Sequence, residues 1–151
     1  MEISLKTGDL SVSGVSVGSL SLRTTTGRIS AASVTCGGAA YVGVDTGKAA
    51  LRDLTCGSFA SEGGTGDITL DHVTAIDTLS ITRDTGDVEF TACDADAVSV
   101  RTTTGDVTGS LLSEKVFLTE THTGKVEVPK TVTGGTCEIR TDTGDIRIEI
   151  R

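Results

Sequence analysis

The stretch RTTTGDV, residues 101–107, decides the fold because nearly the same turn returns along the chain at a constant spacing. Eight Thr-Gly pairs recur in one register, and the steps between their successive glycines are 19, 20, 19, 20, 19, 19 and 20 residues. The pairs are Thr7-Gly8, Thr26-Gly27, Thr46-Gly47, Thr65-Gly66, Thr85-Gly86, Thr104-Gly105, Thr123-Gly124 and Thr143-Gly144. Such a fixed period is typical of a repeat architecture in which each unit stacks on the next.

Residues aligned on these glycines form apolar columns. Two residues after the glycine stand Leu10, Ile29, Ala49, Ile68, Val88, Val107, Val126 and Ile146. A further column, seven residues after it, contains Val15, Val34, Leu54, Val73, Cys93 and Leu112. Within each segment apolar and polar residues alternate with period two, which indicates β-strands and not helices. Each repeat therefore predicts two clear short strands and a weaker third, with a bend at Thr-Gly.

A two-stranded unit cannot bury its own apolar face, but stacked units bury one another's faces. The sequence therefore predicts an all-β, single-domain parallel β-solenoid (β-helix-like) over residues 1–151, with about eight coils of 19–20 residues. At about 4.8 Å per coil, the rod would be roughly 40 Å long. The chain begins part-way through a repeat, and neither end shows a recognisable polar cap. These features favour either end-to-end association or a segment of a longer protein.

The Thr-Gly pairs are interpreted as structural corners. Glycine accepts the positive φ that a corner requires. The preceding threonine has the same parity as the inward apolar columns, so its hydroxyl is expected to bond backbone groups at the bend or its neighbours along the stack.

The residue after the corner glycine supplies a candidate metal site. Asp67, Asp87 and Asp106 occupy this position in three consecutive coils, so their carboxylates should lie one rung apart. Stacked carboxylates beside turn carbonyls suit Ca²⁺. The alternative is that they point into water beside an exposed corner. Ca²⁺ is the one cofactor that the sequence suggests.

Two of the four cysteines are predicted to stack. Cys36 and Cys56 both lie nine residues after a corner glycine, and neighbouring rungs are close enough for a disulfide. The alternative is two packed thiols. Cys93 and Cys137 replace apolar residues in other columns and are expected in the core.

Composition and charge exclude several classes of function. The net charge of −8 argues against nucleic acid and against an anionic membrane surface. No segment is long and apolar enough to insert into a bilayer. His72 and His122 occupy different columns, and no known catalytic motif is present, so the chain is not expected to be an enzyme. Arg101, Glu120 and Arg140 alternate in sign over successive coils, which predicts solvated cross-strand ion pairs.

The stretches RTTTGDV, RDTGDVEF and TDTGDIRIEI resemble the repeats of bacterial adhesin-type β-strand-repeat domains, also called toastrack domains. The resemblance covers the whole chain, although Arg28 and Lys48 replace the usual Asp after the glycine. It implies a right-handed β-solenoid, often attached to membrane segments of bacterial envelope or stress-response proteins. No catalytic residues are recognised for the family.

Two functions are consistent with these features. The first is a non-catalytic, envelope- or stress-associated interaction domain, adhesin-like, that presents flat β faces to a protein or cell-wall ligand. The alternative is a structural solenoid that self-associates end to end through uncapped coils. The resemblance favours the bacterial cell envelope without indicating the side of the membrane. Unpaired cysteines favour a reducing compartment, so a cytoplasmic location stays open.

Overall fold

The structure is a computed structural model that describes residues 1–150. Sixteen β-strands form two sheets of eight strands each. The first sheet contains β1 (Glu2–Thr7), β3 (Leu20–Thr26), β5 (Ala39–Thr46), β7 (Ser58–Thr65), β9 (Thr78–Thr85), β11 (Ala97–Thr104), β13 (Lys115–Thr123) and β15 (Gly135–Thr143). The second contains β2 (Leu10–Val17), β4 (Ile29–Cys36), β6 (Ala49–Cys56), β8 (Ile68–Ala75), β10 (Val88–Cys93), β12 (Val107–Leu111), β14 (Val126–Glu127) and β16 (Ile146–Ile150).

Each coil consists of one strand of the first sheet, a Thr-Gly corner and one strand of the second sheet. We number the coils 1 to 8 in chain order, so that coil 1 is β1 and β2 and coil 8 is β15 and β16. Strands of coils that are neighbours in the stack pair in parallel, with the predicted columns in register. The predicted parallel β-solenoid is confirmed, and its eight two-strand coils, about seven complete turns, are close to the predicted count.

The corner glycines have the backbone that their sequence position requires. Gly66 has φ of +132°, and a Cβ there would lie 1.7 Å from the carbonyl oxygen of Gly47 in the coil before. The threonine before each glycine is exposed, so the prediction that its inward parity would place it in the core is wrong. The threonine two residues earlier has that role instead. Thr102 and Thr141 are buried, and their hydroxyls donate to the corner glycine carbonyls of Gly86 and Gly105 at 3.4 and 3.2 Å.

The expected weak third strand is part of the second one. Five coils have a residue with positive φ six positions after the corner glycine: Gly14, Ser33, Asp53, His72 and Ala92. This residue shifts the alternation by one, so that side chains seven positions after the glycine again point inward. Coil 6 has no such residue, and Cys93 pairs with Leu111 instead of Leu112. Leu111 is buried and Leu112 is half exposed, which corrects the predicted column.

The last two coils are exchanged in space. The first sheet has the order β1-β3-β5-β7-β9-β11-β15-β13, and the second sheet follows the same order of coils. Coil 8 therefore lies between coil 6 and coil 7, although it follows coil 7 in the chain. Coil 7, not the C-terminal coil, forms the end of the stack.

Two glycines allow the chain to cross itself at this end. A Cβ on Gly134, which has φ of +99°, would lie 1.9 Å from the carbonyl oxygen of Glu114. A Cβ on Gly135 would lie 1.8 Å from the carbonyl oxygen of Asp96. The connection into coil 8 thus passes between the connection that enters coil 6 and the one that enters coil 7, where no side chain fits.

The core is a narrow stack of aliphatic side chains between the two sheets, with Phe59 and Phe90 fully buried among them. Most outward positions of both sheets carry polar or small residues, with Tyr41 and Leu118 among the larger ones. No helix that could cross a membrane is found within residues 1–150.

Candidate functional site on the first sheet

The outer face of the first sheet carries a groove of about 670 Å³ that crosses coils 1 to 5. Outward glycines form its floor, because Gly43 on β5 and Gly64 on β7 expose backbone where neighbouring strands carry side chains. Its walls include Arg23, Tyr41 and Glu62.

Tyr41 lies across the groove and is held from both sides. The guanidinium of Arg23 lies 4.8 Å from the centroid of the ring. The phenol donates a hydrogen bond to Oε2 of Glu62 at 3.4 Å. The ring occupies the place of a missing side chain, since a Cβ on Gly43 would lie 3.0 Å from its Cε1 atom. Partial burial, and then the charge of Glu62, raise the pKa of Tyr41.

The second part of the groove is acidic. Asp45 and Asp84 stand on the strands to either side of Gly64, and Glu62 stands on the same strand as that glycine. The groove thus combines an aromatic ring and an arginine with several carboxylate acceptors. Sequence reasoning missed this groove. The available signal was the outward parity of Tyr41, Gly43 and Gly64, at positions where other coils carry polar side chains.

The corner aspartates form a ladder of hydrogen bonds. Oδ1 of Asp67 accepts the backbone N–H of Asp87 at 2.9 Å, and Oδ1 of Asp87 accepts that of Asp106 at 2.9 Å. The ladder continues from Asp106 to Asp145 and from Asp145 to Lys125, at 2.8 and 2.9 Å. Each carboxylate therefore bonds a backbone group of the next coil in space.

This ladder bears on the predicted calcium site. Within residues 1–150 no cluster of three or more acidic, histidine or cysteine side chains has the geometry of a metal site. Asp67, Asp87 and Asp106 lie one rung apart as predicted, but Asp67 and Asp87 each use one oxygen for the next of the three and Asp106 uses one for Asp145. Calcium binding at these residues stays a prediction.

Comparison with known families agrees with this geometry. The family model described as Toastrack DUF4097 matches residues 2–151. The chain belongs to the Toastrack DUF4097 family. Neither the curated proteins nor the solved structures contain a match. Membership supports a structural repeat domain, and it assigns no ligand to this Toastrack chain.

The cysteines of the Toastrack chain are buried thiols. All four are free, so the predicted disulfide between Cys36 and Cys56 is not formed in the structure and stays a prediction. Burial raises the pKa of the Cys56 thiol to about 11, and Cys36 contributes to that rise. Burial also raises the pKa of Cys93 to about 11 and that of Cys137 to about 12.

The exchange of coils changes the predicted charge alternation. Arg101 pairs in register with Arg140 and not with Glu120, so two like charges lie side by side. The nearest carboxylates of Arg140 are Glu138 at 3.0 Å and Glu120 at 3.8 Å. The predicted alternation of Arg101, Glu120 and Arg140 is therefore wrong, because it assumed that coils stack in chain order. Glu127 of coil 7 and Arg147 of coil 8 do form an ion pair, at 2.9 Å.

One polar cluster resembles catalytic machinery in composition. Nζ of Lys115, a side chain that is 3% exposed, lies 2.8 Å from Oδ1 of Asp94 and 2.5 Å from Oγ of Ser113. Ser113 also donates to Asp94 at 2.8 Å. An ammonium that is ion-paired to a carboxylate cannot accept the proton of a serine, so the cluster does not activate Ser113. It fixes the start of β13 to the bend between coils 5 and 6.

Arg83 is a second buried cation. It occupies the space above Gly63, and its Nη1 lies 3.4 Å from the carbonyl oxygen of Val44. Its Nε and Nη2 atoms have no hydrogen-bond partner within residues 1–150. Burial lowers the pKa of Arg83, and the charge of Asp67 opposes that effect.

The histidines are separate. His72 contacts Asp71 on the second sheet, and Nδ1 of His122 lies 3.4 Å from Asp142 on the first. The structure does not bring them together.

Proposed function

We propose that this Toastrack domain is a non-catalytic interaction domain of the bacterial cell envelope that binds its ligand through the groove on the first sheet. The observation that carries the proposal is Tyr41, a partly exposed aromatic ring that is held between Arg23 and Glu62 over a glycine floor. Tyrosine and arginine are enriched in binding surfaces, where a ring supplies contact area and a polar end supplies a hydrogen bond.

The chemistry of the groove suits a polar, extended ligand such as a cell-wall polymer. Arg23 supplies hydrogen-bond donors, and Asp45, Glu62 and Asp84 supply acceptors. A cell-wall polymer presents hydroxyl, amide and amino groups that match both kinds. The groove runs across several coils, so a linear ligand would cross several strands.

Co-sedimentation with purified peptidoglycan sacculi tests the proposal. The wild-type protein is expected to sediment with sacculi, and Tyr41→Ala is expected to weaken binding about tenfold, since a good anchor contributes more than about 1.4 kcal/mol. Arg52→Ala is the matched control, because Arg52 is exposed on the second sheet of the same coil. Absence of wild-type binding, or equal losses in both variants, would contradict the proposal.

The ends of the stack favour a second candidate, end-to-end self-association. Met1 and Leu5 of coil 1 are 47% and 36% exposed, and Leu118 and Val126 of coil 7 are 55% and 40% exposed. The outer edges of these coils have unpaired backbone groups, which can template another strand. Light scattering over a hundredfold range of concentration tests this candidate. A mass that grows with concentration supports it, and a constant mass near 15.4 kDa contradicts it.

A further inference from the structure

The exchanged coils form an interface that a second copy of the chain can also fill. We propose that two chains associate by reciprocal exchange of coil 8, so that coil 8 of each chain inserts between coils 6 and 7 of the other. This proposal is independent of the groove on the first sheet. It also differs from end-to-end association, because it needs no contact between the outer edges of coils 1 and 7.

The place that coil 8 occupies is bounded by coil 6 on one side and by coil 7 on the other. Coil 6 stacks on coil 5 along the length of β11 and on both halves of β10. The start of coil 7 is fixed by Lys115, whose ammonium bonds Asp94 and Ser113. None of these groups belongs to coil 8. Coil 6 and the start of coil 7 are therefore held without coil 8, whereas within residues 1–150 the ladders of β13 and β14 pair with coil 8 alone, whichever chain supplies it.

Coil 8 makes its ladder contacts only with the two coils that flank it. β15 pairs with β11 and β13, and β16 pairs with β12 and β14. Its inward side chains are among the best buried in the molecule, with Cys137 and Ile139 at 0% exposure and Ile146 at 1%. These contacts are the same whether coil 8 comes from its own chain or from a second one.

The segment that precedes coil 8 is the least regular part of the stack. β14 has only two residues, and residues 128–134 form no strand. Pro129 lacks the N–H that a ladder needs, and Val132 is 87% exposed. Thr131 and Thr133 bond Lys115 and Glu114 beside the entry of coil 8, so a pivot before Thr131 lets residues 131–150 move as one unit. Exchange of identical elements through such a segment is a low-cost route to dimers.

Stacking coil 8 on coil 6 gives better contacts than stacking coil 7 on coil 6 would give. In the exchanged order, Asp106 bonds Asp145 and Asp145 bonds Lys125. If coil 7 stacked directly on coil 6, Lys125 would lie between Asp106 and Asp145 in the stack. Its side chain could not accept the backbone N–H of Asp145. Thr119, an inward polar residue, would also enter the core in place of Ile139. The place between coils 6 and 7 is therefore specific for a coil 8 from either chain.

Mixed cross-linking with a bis-maleimide reagent tests the proposal. Arg101→Cys and Arg140→Cys are made in separate chains, because these exposed residues pair in register between coils 6 and 8. The two variants are unfolded together, refolded together at low and at hundredfold higher concentration, and then cross-linked. We expect a covalent dimer with one chain of each kind, at least tenfold more abundant at the higher concentration. The native cysteines are buried, and wild-type protein serves as the background.

Two controls distinguish exchange of coil 8 from non-specific cross-linking and from misfolding. Thr82 of coil 5 pairs in register with Arg101 of coil 6, and these two coils are not exchanged in the proposed dimer. A mixture of Thr82→Cys and Arg101→Cys chains should therefore give no mixed dimer. A single chain with both Arg101→Cys and Arg140→Cys should cross-link internally at low concentration. Failure of that internal cross-link overturns the proposal, since coil 8 would then not fill its place. Absence of the mixed dimer, or equal dimer in the Thr82 control, overturns it as well.

Discussion

Coils 1 to 6 and coils 7 to 8 are built from the same repeat, yet they assemble by different rules. In the first six coils each coil stacks on the one before it in the chain. In the last two, coil 8 stacks on coil 6 and coil 7 covers coil 8. The difference shows that column chemistry, and not chain order alone, decides which coils touch.

The exchanged order places the more apolar coil inside. Ile139 of coil 8 is fully buried, whereas its ladder neighbour Thr119 of coil 7 is only half-buried. Coil 7 ends the stack with Glu120 and His122 on its outer face, and with Lys125 at its corner. Solenoids need a terminal unit that tolerates water on one side, and coil 7 meets that need. Coil 7 therefore ends the stack in place of the expected terminal coil, which lies inside it.

The largest expected effect comes from the crossing of the chain. Gly135→Ala places a Cβ 1.8 Å from the carbonyl oxygen of Asp96, so coil 8 cannot enter without moving backbone. We expect a loss of about 3 kcal/mol or more in the free energy of unfolding, measured by urea denaturation. Gly18→Ala, at the same repeat position in coil 2, has open space and should change stability by less than about 1 kcal/mol. Equal losses of unfolding free energy in the two variants would show that the close approach of Gly135 to Asp96 does not limit the side chain at this position.

The buried ion pair at the start of coil 7 gives the next largest effect. Asp94→Asn leaves the ammonium of Lys115 buried without a counter-charge, which should cost about 3 kcal/mol. Glu127→Gln breaks an exposed pair between coil 7 and Arg147 of coil 8 and should cost less than about 1 kcal/mol. Urea denaturation of both variants measures the difference. Similar losses of unfolding free energy would contradict the role of the Asp94–Lys115 pair in fixing the start of coil 7.

The same pair predicts a dependence on acid. Burial alone would raise the pKa of Asp94, but hydrogen bonds from Lys115 and Ser113, and the charge of Lys115, hold it below its usual value. A depressed carboxyl pKa stabilises the fold at pH values above the unfolded pKa of about 3.9. That contribution is lost as the pH falls through the folded value. The acid-induced loss of stability should be smaller in Asp94→Asn than in the wild-type protein.

Much of the regular region follows from the sequence, whereas the exchanged region does not. The glycine spacing predicts the corners, the parallel stack and most inward columns. The prediction for Leu112 is wrong because its coil lacks the residue with positive φ that coils 1 to 5 contain. The exchange could not be predicted from the columns, since coils 7 and 8 both match them. Three weaker signals point to it: Lys125 at a corner that otherwise favours Asp, the inward Thr119, and the Gly134-Gly135 pair.

The candidate site was hidden for a different reason. Period-two patterns identify which residues face outward, but they do not show that outward glycines on adjacent strands leave a depression. Tyr41 fills part of it only because Gly43 has no side chain. That contact depends on the direction of a ring, which a sequence column does not contain.

Alkaline pH gives a smaller effect that is spread over both regions. Burial raises the pKa of Cys56 and Cys93, in regular coils, to about 11 and that of Cys137, in coil 8, to about 12. Unfolded thiols ionise near pH 8.5, so the unfolded state loses protons first and stability falls as the pH rises above about 8.5. We expect roughly 2 kcal/mol per thiol by pH 10, since pH 10 lies about 1.5 units above the unfolded pKa and each unit costs about 1.36 kcal/mol. Urea midpoints between pH 8 and 10 measure it.

Single cysteine variants divide that effect between the regions. Cys56→Ala and Cys137→Ala should each reduce the alkaline slope, and an unchanged slope would contradict the burial of that thiol. Thiol labelling at pH 9 sharpens the comparison. Cys137 should react before Cys56 if coil 8 leaves the stack more readily than coil 3 unfolds, because local opening then exposes it.

The smallest effect separates the two regions most directly. Asp67→Ala and Asp145→Ala each remove a carboxylate that accepts a corner N–H, from Asp87 in coil 5 and from Lys125 in coil 7. Each should cost about 1 kcal/mol in unfolding free energy, because water replaces one exposed hydrogen bond. The local consequences should differ: Asp145→Ala should speed amide hydrogen exchange in coil 7, where no further coil lies outside it, while Asp67→Ala should leave coil 5 protected between its neighbours. Equal exchange rates would mean that the ladder does not hold coil 7 in place, and that strand pairing with coil 8 is enough to determine where coil 7 lies.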